Sequence, residues 1–245
     1  DRIIRGDEGS VDDATIRERA GAELYGYFAR MMAARAEQPT GDFVSYLMNA
    51  DFGGERKLTQ FEVLDIIFNF LIAGLDTTNA ALGNAFSYLA TRPDQRDRLV
   101  ADPSLIPAAV EEFVRWDSLL ATGRTVTRDV EVGGVQMREG DRIMVLFGSA
   151  SRDEEVFDRP DEVVFDREPS RHFGFGHGPH RCPGSHLARV ELRVAFEELH
   201  RRIPDYRLAP GGKVRRHLGH IKGVYRLPLV FTPGVKALGD GGDRR

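Results

Sequence analysis

Residues 172–184 read HFGFGHGPHRCPG and hold the only cysteine of the chain, Cys182. A lone cysteine inside a cell is ordinarily a small buried hydrophobe. The neighbours of this one point elsewhere. Gly174, Gly176, Gly178 and Gly184 permit backbone shapes and close approaches that other residues resist. The cysteine also stands just before a predicted helix, whose free N–H groups and positive end favour a thiolate. A thiolate held in this way is a soft metal ligand.

Two ligand chemistries are open to it. His177, His180 and Cys182, with His172 nearby, raise zinc. A closed structural zinc site takes four ligands, often from two paired knuckles, and the chain has no second Cys/His knuckle. Ligation of a haem iron needs one thiolate and a close, flat approach, which glycines provide. Elsewhere, Asp76 and Thr77 interrupt the apolar run of residues 66–75, where polar side chains are costly unless paired or useful. Glu112 and Arg115 stand three apart on a predicted helix, the spacing of an ordinary surface ion pair of small energetic consequence.

These groups must be positioned by a chain of 245 residues, 41% hydrophobic, with net charge -4. That is enough apolar material for one large core or two small ones, and the charge excludes a global field for nucleic acid or membrane surfaces. One cysteine excludes an internal disulfide framework and suits a reducing, cytoplasmic setting. No apolar run is long enough to span a bilayer. Basic residues are mostly arginine; the four lysines are Lys57, Lys213, Lys222 and Lys236, a bias associated with GC-rich bacterial genomes.

The spacing of Ile16, Ala20, Leu24, Tyr27 and Met31 predicts a helix over residues 13–36, and a short one follows near 43–48. The strongest helix is predicted over about 59–91. Thr59 and Glu62 form a capping-box pattern at its start, and Pro93 stops it. It is apolar nearly all round through its middle and is expected to cross the interior. Another helix is expected over about 104–116. The period then changes: β-branched alternation, a Gly133-Gly134 turn and a Glu139-Gly140 turn predict a small antiparallel sheet. A helix over about 184–202 follows the cysteine loop of residues 172–184, and the tail reads as two strands around Lys222-Gly223. The expected architecture is mainly α with a small antiparallel β part, in a single domain over 1–245.

At this point a resemblance is specific. Phe175-x-x-Gly178-x-His180-x-Cys182-x-Gly184 resembles the haem-binding signature of the cytochrome P-450 family. Glu112-x-x-Arg115 resembles the family's Glu-x-x-Arg pair, and Arg167, in FDREPSRH, the third member of that triad. AGLDTT, residues 73–78, resembles the oxygen-binding stretch of the long central helix. The likeness runs from the first helix to the end of the chain. It is nearest to soluble bacterial members of the camphor-hydroxylase type, in EEFVR, GRTVTRD, HGPHRC, HLAR and GVYRLPLVF.

The resemblance implies the C-terminal, haem-binding portion of a P-450 fold. The cofactor is then heme b, iron protoporphyrin IX, with the axial thiolate and metal ligand from Cys182. Ala73, Gly74, Phe175, Gly176, Pro183 and Gly184 line it, and Arg124 and His180 grip one propionate each. Glu112, Arg115 and Arg167 become a buried structural brace beneath the cysteine loop. The substrate wall is Phe70, Ile72, Ala73, Leu119, Leu120, Ile143, Val145 and Ile221. Pro183 follows the ligand where the family often has an aliphatic residue with an N–H to offer the sulfur; proline has none, so it is expected to leave the sulfur electron-rich or merely to fix the first turn of the next helix.

The activity implied is a monooxygenase that inserts one atom of O2 into a small apolar substrate, by hydroxylation or epoxidation. Electrons come from a ferredoxin and its reductase. Thr77 would give the O2 a hydrogen bond and Asp76 would relay protons, as catalytic residues. Arg181, Arg189 and Arg193 either dock an acidic ferredoxin or are a solvated helix face. A peroxide-driven haem-thiolate enzyme is the first rival, although such members are expected to lack the acid–alcohol pair. A haem-binding fragment without turnover is the second. A monomer is expected, with no nucleic-acid and no membrane partner. The family's chain is longer on the N-terminal side, so residues are expected to precede Asp1; Asp76 is paired in this reading with Arg2 or Arg5.

Overall fold

Thr59 and Glu62 cap each other as their spacing predicts. In the computed structural model, which describes residues 13–168, 171–219 and 221–234, the Glu62 amide donates to Thr59 Oγ1 at 3.3 Å and the Thr59 amide donates to Glu62 Oε2 at 2.7 Å. The pair opens the longest helix, α3 (Gln60–Leu89). Before it come α1 (Asp13–Glu37), α2 (Phe43–Asn49) and a short hairpin of β1 (Asp51–Phe52) and β2 (Arg56–Lys57). After it come α4 (Pro93–Ala101), a 3-10 turn at Pro103–Leu105, and α5 (Ile106–Trp116). The β part follows as β3 (Ala121–Thr125), β4 (Val130–Val132), β5 (Val135–Met137) and β6 (Arg142–Leu146), then the one-turn helix α6 (Phe147–Ala150). A long irregular stretch with a 3-10 turn at Gly178–His180 leads into α7 (Ser185–Arg202). Strands β7 (Arg207–Leu208), β8 (Arg215–Leu218), β9 (Lys222–Arg226) and β10 (Leu229–Val230) close the described chain.

All the strands pair antiparallel and in twos. β3 pairs with β6, Ala121 opposite Leu146 and Thr125 opposite Arg142. β4 and β5 pair through Gly133 and Gly134, whose φ values of 58° and 78° fit the two-glycine turn. Gly140, at φ 90°, makes the second predicted turn. In the tail, β8 pairs with β9, but Lys222 and Gly223 lie inside β9 rather than at its turn. The register is set by packing there: a Cβ on Gly223 would stand 2.5 Å from the His217 ring.

Three further features differ from the sequence reading. Pro93 does not only end a helix; α3 stops at Leu89 and Pro93 opens α4 within its first turn, where a missing N–H costs nothing. The core face of α1 runs through Phe28 and Met32, four apart and buried, while Tyr27 is exposed. The middle of α3 is not enclosed. Its N-terminal part buries Val63, Leu64 and Ile67 and its C-terminal part buries Ala80, Ala85, Phe86 and Leu89, but Phe70, Ala73, Gly74 and Leu75 are exposed. The described chain has two compact units: one ends at Asp76 and the other begins at Thr77, inside α3.

The first unit is built on Phe28, Met32, Val44, Leu47, Val63, Leu64 and Ile67. The second is built on Phe86, Leu89, Leu99, Phe113, Phe165, Phe196 and Tyr206, with α5 packed on α7. No helix among the described residues is long and apolar enough to cross a membrane.

Candidate functional site

Helix α5 is amphipathic in an unusual sense: its buried face carries charge. Ile106, Ala109, Val110 and Phe113 enter the core, and so do Glu112 and Arg115, which are 4% and 1% exposed. A charge removed from water is tolerable only when it is fully paired. Here Arg115 donates to both Glu112 oxygens at 2.8 Å, from Nε and Nη2. Its remaining donors reach the Ser151 carbonyl at 2.9 Å, the Pro160 carbonyl at 2.8 Å and the Glu162 carbonyl at 2.8 Å. Arg167 Nε adds donations to Glu112 at 3.0 and 3.1 Å, and the Val164 amide donates to Glu112 Oε1 at 2.9 Å. Arg167 also donates to the Asp158 and Arg159 carbonyls. Glu112, Arg115 and Arg167 therefore form one brace that pins the irregular stretch of residues 151–167 onto α5.

The brace continues into the cysteine loop through Ser151. Its carbonyl takes Arg115, and its hydroxyl accepts the Phe173 amide at 3.0 Å. The next residue, Gly174, is pressed on α5: a Cβ there would come within 2.4 Å of the Val114 carbonyl oxygen. Within the loop, the Cys182 amide donates to the Phe175 carbonyl at 2.8 Å, the Gly176 amide to the Phe173 carbonyl at 2.8 Å, and the Arg181 amide to the Gly178 carbonyl at 3.0 Å. Gly176 and Gly178 hold φ values of 71° and 69°, the region that favours glycine. Cys182 is free and half-buried. Gly184 caps α7, which starts at Ser185, so Pro183 lies two residues before the helix rather than in its first turn.

Arg124 lies on β3 directly opposite Ile143, and Thr122 opposite Val145, so these four share a face of the β3–β6 pair. Arg124 is exposed; its guanidinium donates to the Gly123 carbonyl and meets no carboxylate among the described residues. His180 is exposed too. Leu120 pairs with Ile221 in an isolated bridge, which brings the two together, and Leu119 accepts the Lys222 amide at 3.0 Å. The hairpin is fixed by two contacts that sequence reading missed. Lys222 Nζ meets the buried Asp117, whose carboxyl burial pushes up against the opposing pull of Lys222, and the Asn84 amide donates to the Lys222 carbonyl at 3.1 Å.

Phe70, Ile72, Ala73, Gly74 and Asp76 belong to the first unit and Thr77 to the second, all on α3. Asp76 and Thr77 are adjacent and half-buried. The pairing of Asp76 with Arg2 or Arg5 lies outside the described residues. A further contact that sequence reading missed joins Thr78 Oγ1 to Glu191 of α7 at 3.1 Å. Of the three arginines singled out for docking, Arg189 is engaged by Glu111 and Arg193 faces Glu197 at 3.7 Å; Arg181 is exposed with no acidic partner among the described residues. The pair Glu111–Arg189 was invisible in the sequence because its members are 78 residues apart.

A model of the cytochrome P450 family matches residues 23–208. This chain is a cytochrome P450. It is 38% identical over 242 residues to a steroid C26-monooxygenase of Mycolicibacterium smegmatis, covering 97% of this chain and 60% of that one. It is 38% identical over 219 residues to the mycinamicin IV hydroxylase/epoxidase of Micromonospora griseorubida, covering 87% of this chain and 55% of the relative. Among solved structures, the mixed-function P450 MycG superposes with a TM-score of 0.83 at 36% identity, covering 92% of this chain and 57% of that one. A P450 of Bacillus megaterium in complex with corticosterone gives 0.87 at 29%, covering 93% and 62%. The chain thus spans about 60% of the length of the curated relatives it matches. The fold is that of the P450s.

The residues present fit a haem held by one thiolate. Among the described residues no three His, Cys, Asp or Glu side chains converge as metal ligands. A single free thiol remains, in a loop whose shape is fixed by backbone hydrogen bonds. Arg124 and His180, with no carboxylate partners of their own among the described residues, offer donors suited to carboxylates.

Proposed function

We propose that this P450 is a haem-thiolate monooxygenase of apolar organic molecules, supplied with two electrons by a ferredoxin-type donor. The observation that carries the reading is the half-buried, lone Cys182 in a loop braced by Glu112, Arg115 and Arg167. Heme b bound through a thiolate supplies the activation of O2: one atom enters a C–H or C=C bond and the other leaves as water, with two protons and two electrons consumed.

The chain's own residues do the rest. Cys182 provides the anionic sulfur that pushes electron density onto the iron. Arg124 and His180 hold the propionates by charge-assisted hydrogen bonds. Asp76 takes protons from water and Thr77 holds one at its hydroxyl, a relay that needs a titratable group beside an alcohol. Ala73 and Gly74, small and exposed on α3, leave room for a flat cofactor and for O2. Leu119, Leu120, Ile143, Val145 and Ile221 of the second unit, and separately Phe70 and Ile72 of the first, are apolar side chains of the kind that bind an apolar substrate by surface burial. The names of the relatives support a lipophilic substrate between a steroid and a macrolide in size. The exposed Arg181 supports an acidic electron donor.

The test is turnover of the haem-loaded protein with NADH, a ferredoxin and its reductase, using steroid and macrolide probes. Oxygenated product that requires O2 and both electron carriers is expected. Equal product with peroxide alone would favour the peroxide-driven rival, and haem uptake with no product under either condition would contradict monooxygenase activity on these probes.

A further inference from the structure

We propose that Glu111 is a positioning residue for the cysteine loop, closing a clamp with His172 and Arg189 that holds the loop in its ligand-ready shape. The proposal rests on the haem-thiolate reading for its purpose, but its geometry stands apart from the Glu112 brace. Adjacent glutamates on α5 serve different partners: Glu112 faces residues 151–167, and Glu111 faces the start of the loop and the helix that follows it.

Three elements meet at the Glu111 carboxylate. From α7, Arg189 donates with Nε to Oε1 and with Nη2 to Oε2, the latter at 2.9 Å. From the loop, His172 Nε2 lies 3.2 Å from Oε2. The tautomer of His172 follows from its other nitrogen. The Gly174 amide, which can only donate, points at His172 Nδ1 at 3.1 Å, so Nδ1 is the acceptor and Nε2 carries the proton given to Glu111. The imidazole thus relays the hold of Glu111 to the Gly174 backbone.

Arg189 relays it further. Its guanidinium carbon stands 4.5 Å from the centroid of the Phe175 ring, a cation–π contact, and its Nη1 donates to the Ser185 carbonyl at the start of α7 at 3.2 Å. Phe175 in turn accepts the Cys182 amide at its carbonyl. One carboxylate therefore fixes Gly174 through His172, and Phe175 through Arg189, on the chain that carries the thiol. An exposed Glu–Arg pair would contribute little. This one is bidentate and three-membered, and His172 is only 9% exposed. Burial raises the Glu111 carboxyl, yet the bonds from His172 and Arg189 outweigh it and hold the group down at about 2.

Hydrogen exchange of the haem-free protein reads the clamp directly. In Glu111→Gln and in Arg189→Gln, the amides of Gly174 and Cys182 should exchange about tenfold faster, the equivalent of losing one charge-assisted hydrogen bond. Amides in the middle of α5 and α7 should stay at wild-type rates. Arg189→Lys should resemble Arg189→Gln, because an ammonium cannot reproduce the fork. After haem loading, both glutamine variants should lose the red-shifted ferrous–CO Soret band faster than wild type at equal thermal midpoints. A wild-type protein that takes up no haem would contradict the monooxygenase reading, and the exchange rates would still decide the clamp. Unchanged exchange at Gly174 and Cys182, or acceleration spread evenly over the chain, would overturn the proposal.

Discussion

Gly174 and Val114 touch through their backbones, with no space for a side chain: a Cβ on Gly174 would lie 2.4 Å from the Val114 carbonyl oxygen and 2.6 Å from its Cγ1. The contact ties the cysteine loop to the last turn of α5, three residues on from Glu111. The glycine is required for closeness and not for a left-handed backbone. Gly178 is the converse case, with φ at 69° and nothing near its would-be Cβ.

Gly174→Ala should therefore act as an overpacking change, lowering stability by about 1–3 kcal/mol and displacing the loop. Gly178→Ala should cost only about 1–2 kcal/mol of backbone strain and leave the loop in contact with α5. Urea unfolding of the two variants, paired with hydrogen exchange at the Phe173 amide, separates the effects. Loop protection retained in Gly174→Ala would show that Val114 gives way.

Removing the anion of the brace should be far more costly. Glu112→Gln leaves the buried Arg115 and the nearly buried Arg167 without a carboxylate, at about 3–5 kcal/mol. That is a large part of the stability of an ordinary domain. Arg201→Ala, which breaks an exposed pair with Glu198, should change stability by about 0.5 kcal/mol or less. Similar midpoints for the two variants in urea would contradict the buried role of Glu112.

His200 makes stability fall in mild acid. It is buried against Tyr206, with rings stacked at 5.8 Å and Nε2 within 3.1 Å of the Tyr206 hydroxyl. Burial, with a smaller push from Arg96, lowers it from 6.5 to about 4. The unfolded chain thus takes up a proton near pH 6.5 that the folded chain refuses until about 4. Its contribution is intact above 6.5 and is lost as pH falls towards 4, with a slope of at most about 1.4 kcal/mol per pH unit. His200→Phe should flatten the difference profile in that window, whatever its constant offset. A parallel profile would place the acid sensitivity elsewhere.

The parts of this molecule that were readable in its sequence are those with short-range causes. The Thr59–Glu62 cap, the Gly133-Gly134 turn and the helix after Cys182 each depend on residues within a few positions of one another. The Glu112–Arg115–Arg167 triad came from resemblance; spacing alone made Glu112 and Arg115 a surface pair, because periodicity does not reveal which face of α5 is covered by residues 151–167. Long-range partners left no local trace. Glu111 and Arg189 are 78 positions apart, and Thr78 and Glu191 113. The tail turn was misplaced for a similar reason, since Gly223 is selected by the nearness of His217 and Ala80 and not by a turn.

The most direct test of the account is the spectrum of the reduced, CO-treated protein with and without its one thiol. Cys182 is free and half-buried in a loop whose every fixed hydrogen bond is made by backbone or by neighbours of the brace and clamp. The haem-loaded wild-type protein should show the strongly red-shifted Soret band of a thiolate-ligated ferrous–CO complex. Cys182→Ser should fold with a wild-type unfolding midpoint and lack that band. A variant that keeps the band, or a wild-type protein that binds haem without ever showing it, would contradict ligation by Cys182.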